Sequence, residues 1–452
     1  YSEGPTASRM FLGNRESIGS IERNQHNNLH KRQLRRTIMK ALRHFLAALS
    51  FVVLGGTVQA AGFNTPQSGA SYTAQGQGGI TFFDNAGLVV QNPSAMVKLE
   101  TGIHVYGGFA RYETKYNYKD LNGGSSADSQ TDPSVAPHIY AVYNNGDMAV
   151  GTGANLPFNS SVEWPKDWAG RDVLTRIKLA TLNQPVVVAG RFGDFSVGGG
   201  LNFYAAHIEL EQEVVYSGND SFSVTLGGKG TANGYNASIL YDTGTIAAAA
   251  NYTSRFTVSG EGDAQFDTSK APPVFTNLFP DGGISVDIKY PDLLEMAISL
   301  KSFSSGDGYI PGAYAIEAGL LRSGWSAYDE VLIRYDKGLP GDGTTVIKQN
   351  WEDVIDYKIG GFYTFTDYLK VRGGYYKTAS PIPESTLGPI TPDGAGRNSF
   401  FVGAGYKRRA FLMDLAYLVS DFLPSETSTN PDLTGKYKGT ANVMQLSAGY
   451  SF

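Results

Sequence analysis

Apolar and polar side chains alternate with a period of two over much of this chain. In residues 443–452 the even positions hold Met444, Leu446, Ala448, Tyr450 and Phe452, while Gln, Ser, Gly and Ser fill the odd positions after Val443. Alternation of this kind puts one set on each face of a strand, and about ten residues suffice for one tilted bilayer crossing. Residues 357–365 and 369–376 alternate likewise around a short turn at Thr366-Asp367-Tyr368, as do 400–407 and 411–418 around Arg408-Arg409. Polar links rich in Pro and Gly span 380–398 and 421–439. Short turns on one side and long loops on the other are the arrangement of an outer-membrane barrel. Further strands are expected near 313–322, 284–300, 245–258, 234–242, 194–216, 172–191, 147–155, 136–143 and 101–112. With the five above, the pattern predicts an all-β fold: a transmembrane antiparallel β-barrel of about 14 strands spanning 101–452.

Residues 61–100 do not alternate. They run through a Gly/Ser/Gln stretch to Asp84-Asn85-Ala86-Gly87 and Asn92-Pro93-Ser94, and are too apolar for a free tail. An N-terminal plug inside the lumen is expected there, since a barrel of this size otherwise encloses a continuous wet channel. Upstream, Met39-Lys40-Ala41-Leu42-Arg43 opens a basic segment, an apolar stretch follows, and Val58-Gln59-Ala60 closes it. That order predicts a secretory signal over 39–60, cleaved after Ala60. Residues 1–38 are read as an upstream segment outside any domain.

Composition narrows the chemistry. The 452 residues include no Cys, so disulfides, thiolate metal sites and cysteine nucleophiles are excluded. Nine Lys/Arg against three Asp/Glu in 1–60 leave the remainder acidic, which gives no appeal to nucleic acid. No run of about 20 apolar residues follows the signal, so a helical span is not expected. His104, His138 and His207 lie far apart, and no HExxH, GxSxG or P-loop occurs. No catalytic residue, metal or cofactor is therefore expected. Asp120, Asp128 and Asp132 read as a solvated outer loop rather than a calcium site, since EF-hand spacing is missing.

Several segments together resemble the FadL-like family of outer-membrane transporters for long-chain fatty acids and other hydrophobic compounds, aromatic hydrocarbons included. The start Ala61-Gly62-Phe63, Asp84-Asn85-Ala86-Gly87 and Asn92-Pro93-Ser94 look like the family's plug and its Asn-Pro-Ala motif, with Ser94 in place of the Ala. Asn155-Leu156-Pro157-Phe158, Trp168-Ala169-Gly170-Arg171, the Trp325-Ser326 and Trp351-Glu352-Asp353 segments, and Pro392-Asp393 with Arg397 follow in family order. The resemblance spans 61–452 and includes the closing Tyr450 and Phe452. It implies a plugged fourteen-stranded barrel with a hydrophobic groove near the outside and a kinked third strand that opens the wall sideways. Gly151, Gly153 and Pro157 suit a bulge or break there, although a strand simply ending at Asn155-Leu156-Pro157 fits equally.

The expected function is passive uptake of hydrophobic small molecules with lateral release into the bilayer. The alternatives are a general diffusion porin for hydrophilic solutes and an outer-membrane enzyme acting on lipids. Candidate ligand-binding residues are Lys289, Arg372, Asp393 and Arg397, because a fatty-acid carboxylate wants a cation. Candidate plug and gate residues are Asn92, Pro93, Ser94, Gly151, Gly153 and Pro157. Expected partners are the hydrophobic ligand, outer-membrane lipids and lipopolysaccharide, and the barrel-assembly machinery during biogenesis, with the protein a monomer.

Overall fold

A computed structural model describes residues 63–65, 68–217, 220–304, 306–337 and 343–452. The expected signal segment and residues 1–38 lie outside the described residues. Fourteen antiparallel crossings form one closed sheet. They are β1 (Gly102–Lys119), β2 (Ser134–Asn144), β3 (Met148–Glu163), β4 (Arg176–Phe192), β5 (Phe195–Ser217) and β6 (Asp220–Asp242). The next four are each interrupted once: β7 (Ile246–Thr253, Phe256–Phe266), β8 (Gly282–Tyr290, Leu293–Lys301), β9 (Tyr314–Ser323, Glu330–Tyr335) and β10 (Thr344–Lys348, Val354–Thr364). Then come β11 (Leu369–Thr378), β12 (Arg397–Arg408), β13 (Phe411–Thr427) and β14 (Gly435–Ser451).

β14 pairs with β1 along its length, from His104 opposite Ser451 to Lys119 opposite Lys436. The Phe452 N–H donates to the Ile103 carbonyl at 2.8 Å, so the ladder runs to the last residue. Closure removes the open edge that a bilayer would not tolerate. The outer surface carries the apolar half of the alternation. Ile298, Leu300, Ile316, Tyr357, Phe400, Val402, Met444 and Phe452 are all exposed there. An exposed band of this kind is what lipid covers.

All fourteen expected strands are present, and several outlast their expected bounds at one end. β5 and β6 reach 23 residues each, more than twice a membrane crossing. The link expected over 421–439 is strand except for 428–434. The extra lengths all lie toward one mouth, over which the long loops pack. Trp164 and Trp168 of the β3–β4 loop stack at 4.7 Å, and the Trp164 indole donates to the Pro389 carbonyl in the β11–β12 loop. The short turns lie at the other mouth.

The described part of the non-alternating N-terminal region folds inside the sheet. It forms α1 (Ala70–Ala74), α2 (Leu88–Gln91) and a 3-10 turn, Pro93–Lys98, and nearly all of 68–99 is buried. Its polar groups bond to the wall. The Ala70 N–H donates to Ser447 on β14, Thr73 to Gln445, the Ser94 N–H to Ser238 on β6, and Thr81 to Glu317 on β9. Where the two backbones come closest the wall has glycine. A Cβ at Gly374 or Gly360 would collide with the backbone of Gln75 and Gly76. Gly76 itself has φ 72°, a conformation open to glycine without strain.

Candidate functional site

The site begins where β3 leaves the wall. β2 and β3 pair from Asn144 opposite Ala149 up to Ile139 opposite Ala154, and no further. β2 continues to Ser134 against β1, while β3 continues to Glu163 against β4. A gap therefore opens between their upper halves. It closes again where the Gln130 N–H donates to the Glu163 carbonyl at 2.7 Å.

Local sequence explains the departure. Between Asn155 and Phe158 the β3–β4 register shifts by one residue, so β3 carries an extra residue there. Pro157 lies in that bulge. Pro137 of β2 and Pro185 of β4 flank it on the neighbouring strands, and none of the three has an N–H for a ladder. Burial records the bend. β3 alternates from Met148 to Thr152, then stays buried at every position from Gly153 to Val162 except the half-buried Pro157. A strand in the wall buries one face; this stretch buries both because it has moved into the lumen.

Its freed backbone is not left bare. Residues 63–65 lie along it as a short antiparallel bridge, Asn64 opposite Phe158. The Thr65 N–H donates to the Pro157 carbonyl at 2.8 Å, and the Asn159 N–H to the Phe63 carbonyl at 2.9 Å. The Asn159 side chain donates to the Leu156 carbonyl at 2.7 Å. In a bilayer an unpaired strand edge costs several kcal/mol per group, roughly, so these bonds make the gap a sustainable feature of the wall.

Aromatic rings fill the lumen beside the bend. The interruptions of β9 and β10 send Trp325, Tyr328 and Trp351 inward, where all three meet Phe63 with ring centroids 5.4–6.1 Å apart. Phe158 meets Tyr290 at 5.0 Å, and Tyr290 stacks on Phe256 at 4.5 Å. This buried apolar cluster continues to the loop-covered mouth.

The residues singled out from sequence fall in different places. Asn92 donates to the Ile80 carbonyl at 2.7 Å and accepts from the Ser94 hydroxyl at 2.6 Å, which shapes the entry to the 3-10 turn that Pro93 begins. Pro93 and Ser94 rest on Gly198 of β5, where a Cβ would lie 2.7 and 2.5 Å from their backbone atoms. It is Val89 and Met96 that reach β3, each within 2.7 Å of a Cβ built at Gly151. Gly151 thus provides close packing rather than a bend. Gly153, at the last residues paired with β2, faces Tyr140. Tyr450 and Phe452 are exposed on the outer face with their rings 4.8 Å apart.

The four charged candidates do not form one cluster. Lys289 is on the outward face of β8, paired with Asp329 at 2.6 Å. Arg372 is fully buried between Asp414 at 2.7 Å and Asp84 at 2.9 Å. Asp393 and Arg397 are buried near the long-loop mouth, six ladder positions from Arg372, about 20 Å along the strand. Burial pushes the Asp393 carboxyl up to about 6, against the pull of Arg397. Among the described residues no group of His, Asp and Glu is arranged to hold a metal.

The family model described as "outer membrane protein transport protein (OMPP1/FadL/TodX)" matches residues 51–452. The chain belongs to this family. Its members are outer-membrane transport proteins, which accounts for the closed sheet and the lipid-facing band. An outer-membrane protein of Neisseria meningitidis serogroup B is 20% identical over 473 residues, 91% of this chain and 99% of that protein. Among solved structures, a FadL homologue of Pseudomonas aeruginosa aligns with a TM-score of 0.74 at 19% identity, covering 87% of this chain and all of the other. The toluene transporter TodX of Pseudomonas putida aligns at 0.65 with 13% identity, over 87% of this chain and 99% of its own. Both likenesses speak to the fold. From sequence, a bulge at Gly151, Gly153 and Pro157 and a strand ending at Asn155-Leu156-Pro157 fit equally; the strand runs on to Glu163 with its register shift between Asn155 and Phe158. That reading does not single out Pro137 and Pro185, and prolines inside otherwise alternating strands are the available signal.

Proposed function

We propose that this protein takes up small hydrophobic molecules passively, admits them at the loop-covered mouth and releases them sideways between β2 and β3 into the bilayer. The observation that carries the reading is the inward bend of β3, with its edge capped by 63–65 and its bulk lying against an aromatic cluster. Residues 68–99 serve as the plug, with Asn92, Pro93 and Ser94 shaping its backbone and Gly151 seating it on β3. A filled lumen below and a gap at the side leave the lateral route as the short one. The energetics agree, since an apolar molecule keeps roughly 25 cal/mol per Å² of its buried surface if it passes from groove to lipid without meeting water. No energy source is then required. A diffusion porin for hydrophilic solutes would instead need a wide aqueous lumen. The solved transporters of toluene with this fold are consistent with an apolar cargo here.

The test is to straighten β3. Deleting Pro157 removes both the extra residue and the missing donor, so β3 can stay in register with β4 and extend its ladder to β2. Uptake of a hydrophobic probe by cells should fall at least tenfold while heat-modifiable barrel stays at parental levels. Parental uptake at matched barrel levels would overturn the lateral route.

A further inference from the structure

The ladder between β2 and β3 stops one step short of a proline. Its last pair is Ile139 with Ala154, and the same register puts Pro137 opposite Leu156. The bonds at the strand ends show which way that proline turns its backbone. Ile103 and Phe452 exchange both N–H···O bonds, so odd residues of β1 bond to β14 and even ones to β2. Even residues of β1 pair with even residues of β2, which leaves the odd residues of β2 turned toward β3. The Asn145 N–H agrees, donating across the β2–β3 turn to the Met148 carbonyl at 3.0 Å. Pro137 thus occupies a position whose N–H would go to β3, and it has none. The acceptor that such an N–H would reach is the Leu156 carbonyl. That carbonyl is served from elsewhere, by the Asn159 amide at 2.7 Å and the Thr65 hydroxyl at 3.3 Å.

The other side of β3 repeats the device. The Arg191 N–H donates to the Asp147 carbonyl at 2.9 Å, so odd residues of β4 face β3. The register puts Pro185 opposite Gly153, inside the break in pairing between Thr152 and Asn155. The Pro185 carbonyl takes the Thr152 hydroxyl at 2.8 Å instead of a backbone donor. β3 therefore lacks a ladder donor from β4 at Gly153 and from β2 at Leu156, just before its own bulge. The consequences differ. β4 resumes pairing at Asn183 and keeps it to Arg176, whereas β2 makes no further pair with β3 among the described residues. β2 itself stays in regular strand, paired with β1 down to Ser134. Its free edge has the shape of a ladder and fails at the first donor.

We infer that Pro137 is the positioning residue of the lateral exit: by withholding one N–H from β3 it stops the wall from zipping shut. This rests on the uptake reading above and names the residue of the neighbouring strand that makes its exit. The bulge in β3 bends that strand and disrupts its ladder locally. Pro137 keeps the disruption from healing on the β2 side, where the gap lies.

The experiment restores the donor. Pro137→Val and Pro137→Ala each add an N–H on the β3 side, at a half-buried position on the outward face of β2. Two readouts are compared with the parent at matched heat-modifiable barrel. One is uptake of N-phenyl-1-naphthylamine into cells, against cells lacking the protein. The other is binding of the same probe by the purified barrel, followed by its fluorescence. Both variants should lose at least tenfold in uptake and bind the probe within twofold of the parent, because the groove is intact and the exit is shut. Loss of binding along with uptake overturns the inference, since the residue then shapes the groove or the fold. Loss of uptake in Pro137→Val alone overturns it too, since bulk and not the donor is then at work. Parental uptake by both variants overturns it and leaves the transport reading standing. Uptake by the parent no faster than by cells lacking the protein removes that reading, and the inference with it.

Discussion

Arg372 on β11 donates to Asp84 of the N-terminal region at 2.9 Å, across 288 residues of sequence and with its own side chain fully buried. The same guanidinium donates to Asp414 on β13 at 2.7 Å. One side chain therefore joins two wall strands to the segment that fills the lumen. Removing it strands two carboxylates, and breaking a buried pair from one side costs about 3–5 kcal/mol. Arg372→Met should lower the temperature at which the barrel loses heat-modifiable mobility. It should also raise ion conductance in planar bilayers, because the segment loses its tie before the sheet opens. Parental conductance in a folded variant would show that the wall contacts around Gly374 and Ser447 hold the segment unaided.

That tie also marks how much the sequence could convey. A period of two with the apolar set facing outward marks where one face meets lipid. It revealed the membrane-crossing part of every strand but not the outer lengths, such as Phe256–Phe266 of β7 and Thr344–Lys348 of β10. There the outward positions are mostly polar, as at Thr257, Ser259, Glu261, Asp263 and Gln265, and the apolar side chains point inward. On β5, Glu209 and Glu211 pair with Arg176 of β4, so nothing alternates to the eye. Arg372 was legible as an inward cation, and its two partners were not, because pairing across the lumen leaves no local pattern. Five buried asparagines, Asn155, Asn183, Asn202, Asn236 and Asn251, were hidden for the same reason. Each residue is one inward polar position in its own strand, and only the register puts five of them at one level.

Asp393 gives the outer mouth a dependence on pH. It lies in the loop between β11 and β12, and its carboxyl titrates near 6 rather than at the ordinary 3.8 because it is buried. A carboxyl raised in the folded state binds more protons there than when unfolded, so stability is highest below about pH 4 and falls as pH rises toward 6. Above that it is level. Hydrogen exchange in residues 379–396 should therefore be slower at pH 4.5 than at pH 7.5, after correction for intrinsic rates. Asp393→Asn should remove most of the difference and leave the loop protected at the higher pH. An unchanged pH profile in that variant would move the effect to another group.

The bridge between Asn64 and Phe158 permits a reversible test of whether the gap is static. Hydrogen bonds flank this pair rather than join it, from the Thr65 N–H and the Asn159 N–H, so the two residues form the closer kind of antiparallel pair. Their Cα atoms are then about 4.5 Å apart, within reach of a disulfide. The protein has no cysteine of its own, so Asn64→Cys/Phe158→Cys introduces a single possible bond. Phe158 stands in the aromatic cluster, and its loss affects the oxidised and reduced forms alike. If cargo passes by displacing residues 63–65 from β3, the oxidised protein should take up a hydrophobic probe at least several-fold more slowly, and reductant should restore the rate within the same preparation. If both forms transport equally, the edge stays capped during passage and the gap is open as it stands, with the cargo sliding over the bridge rather than through it.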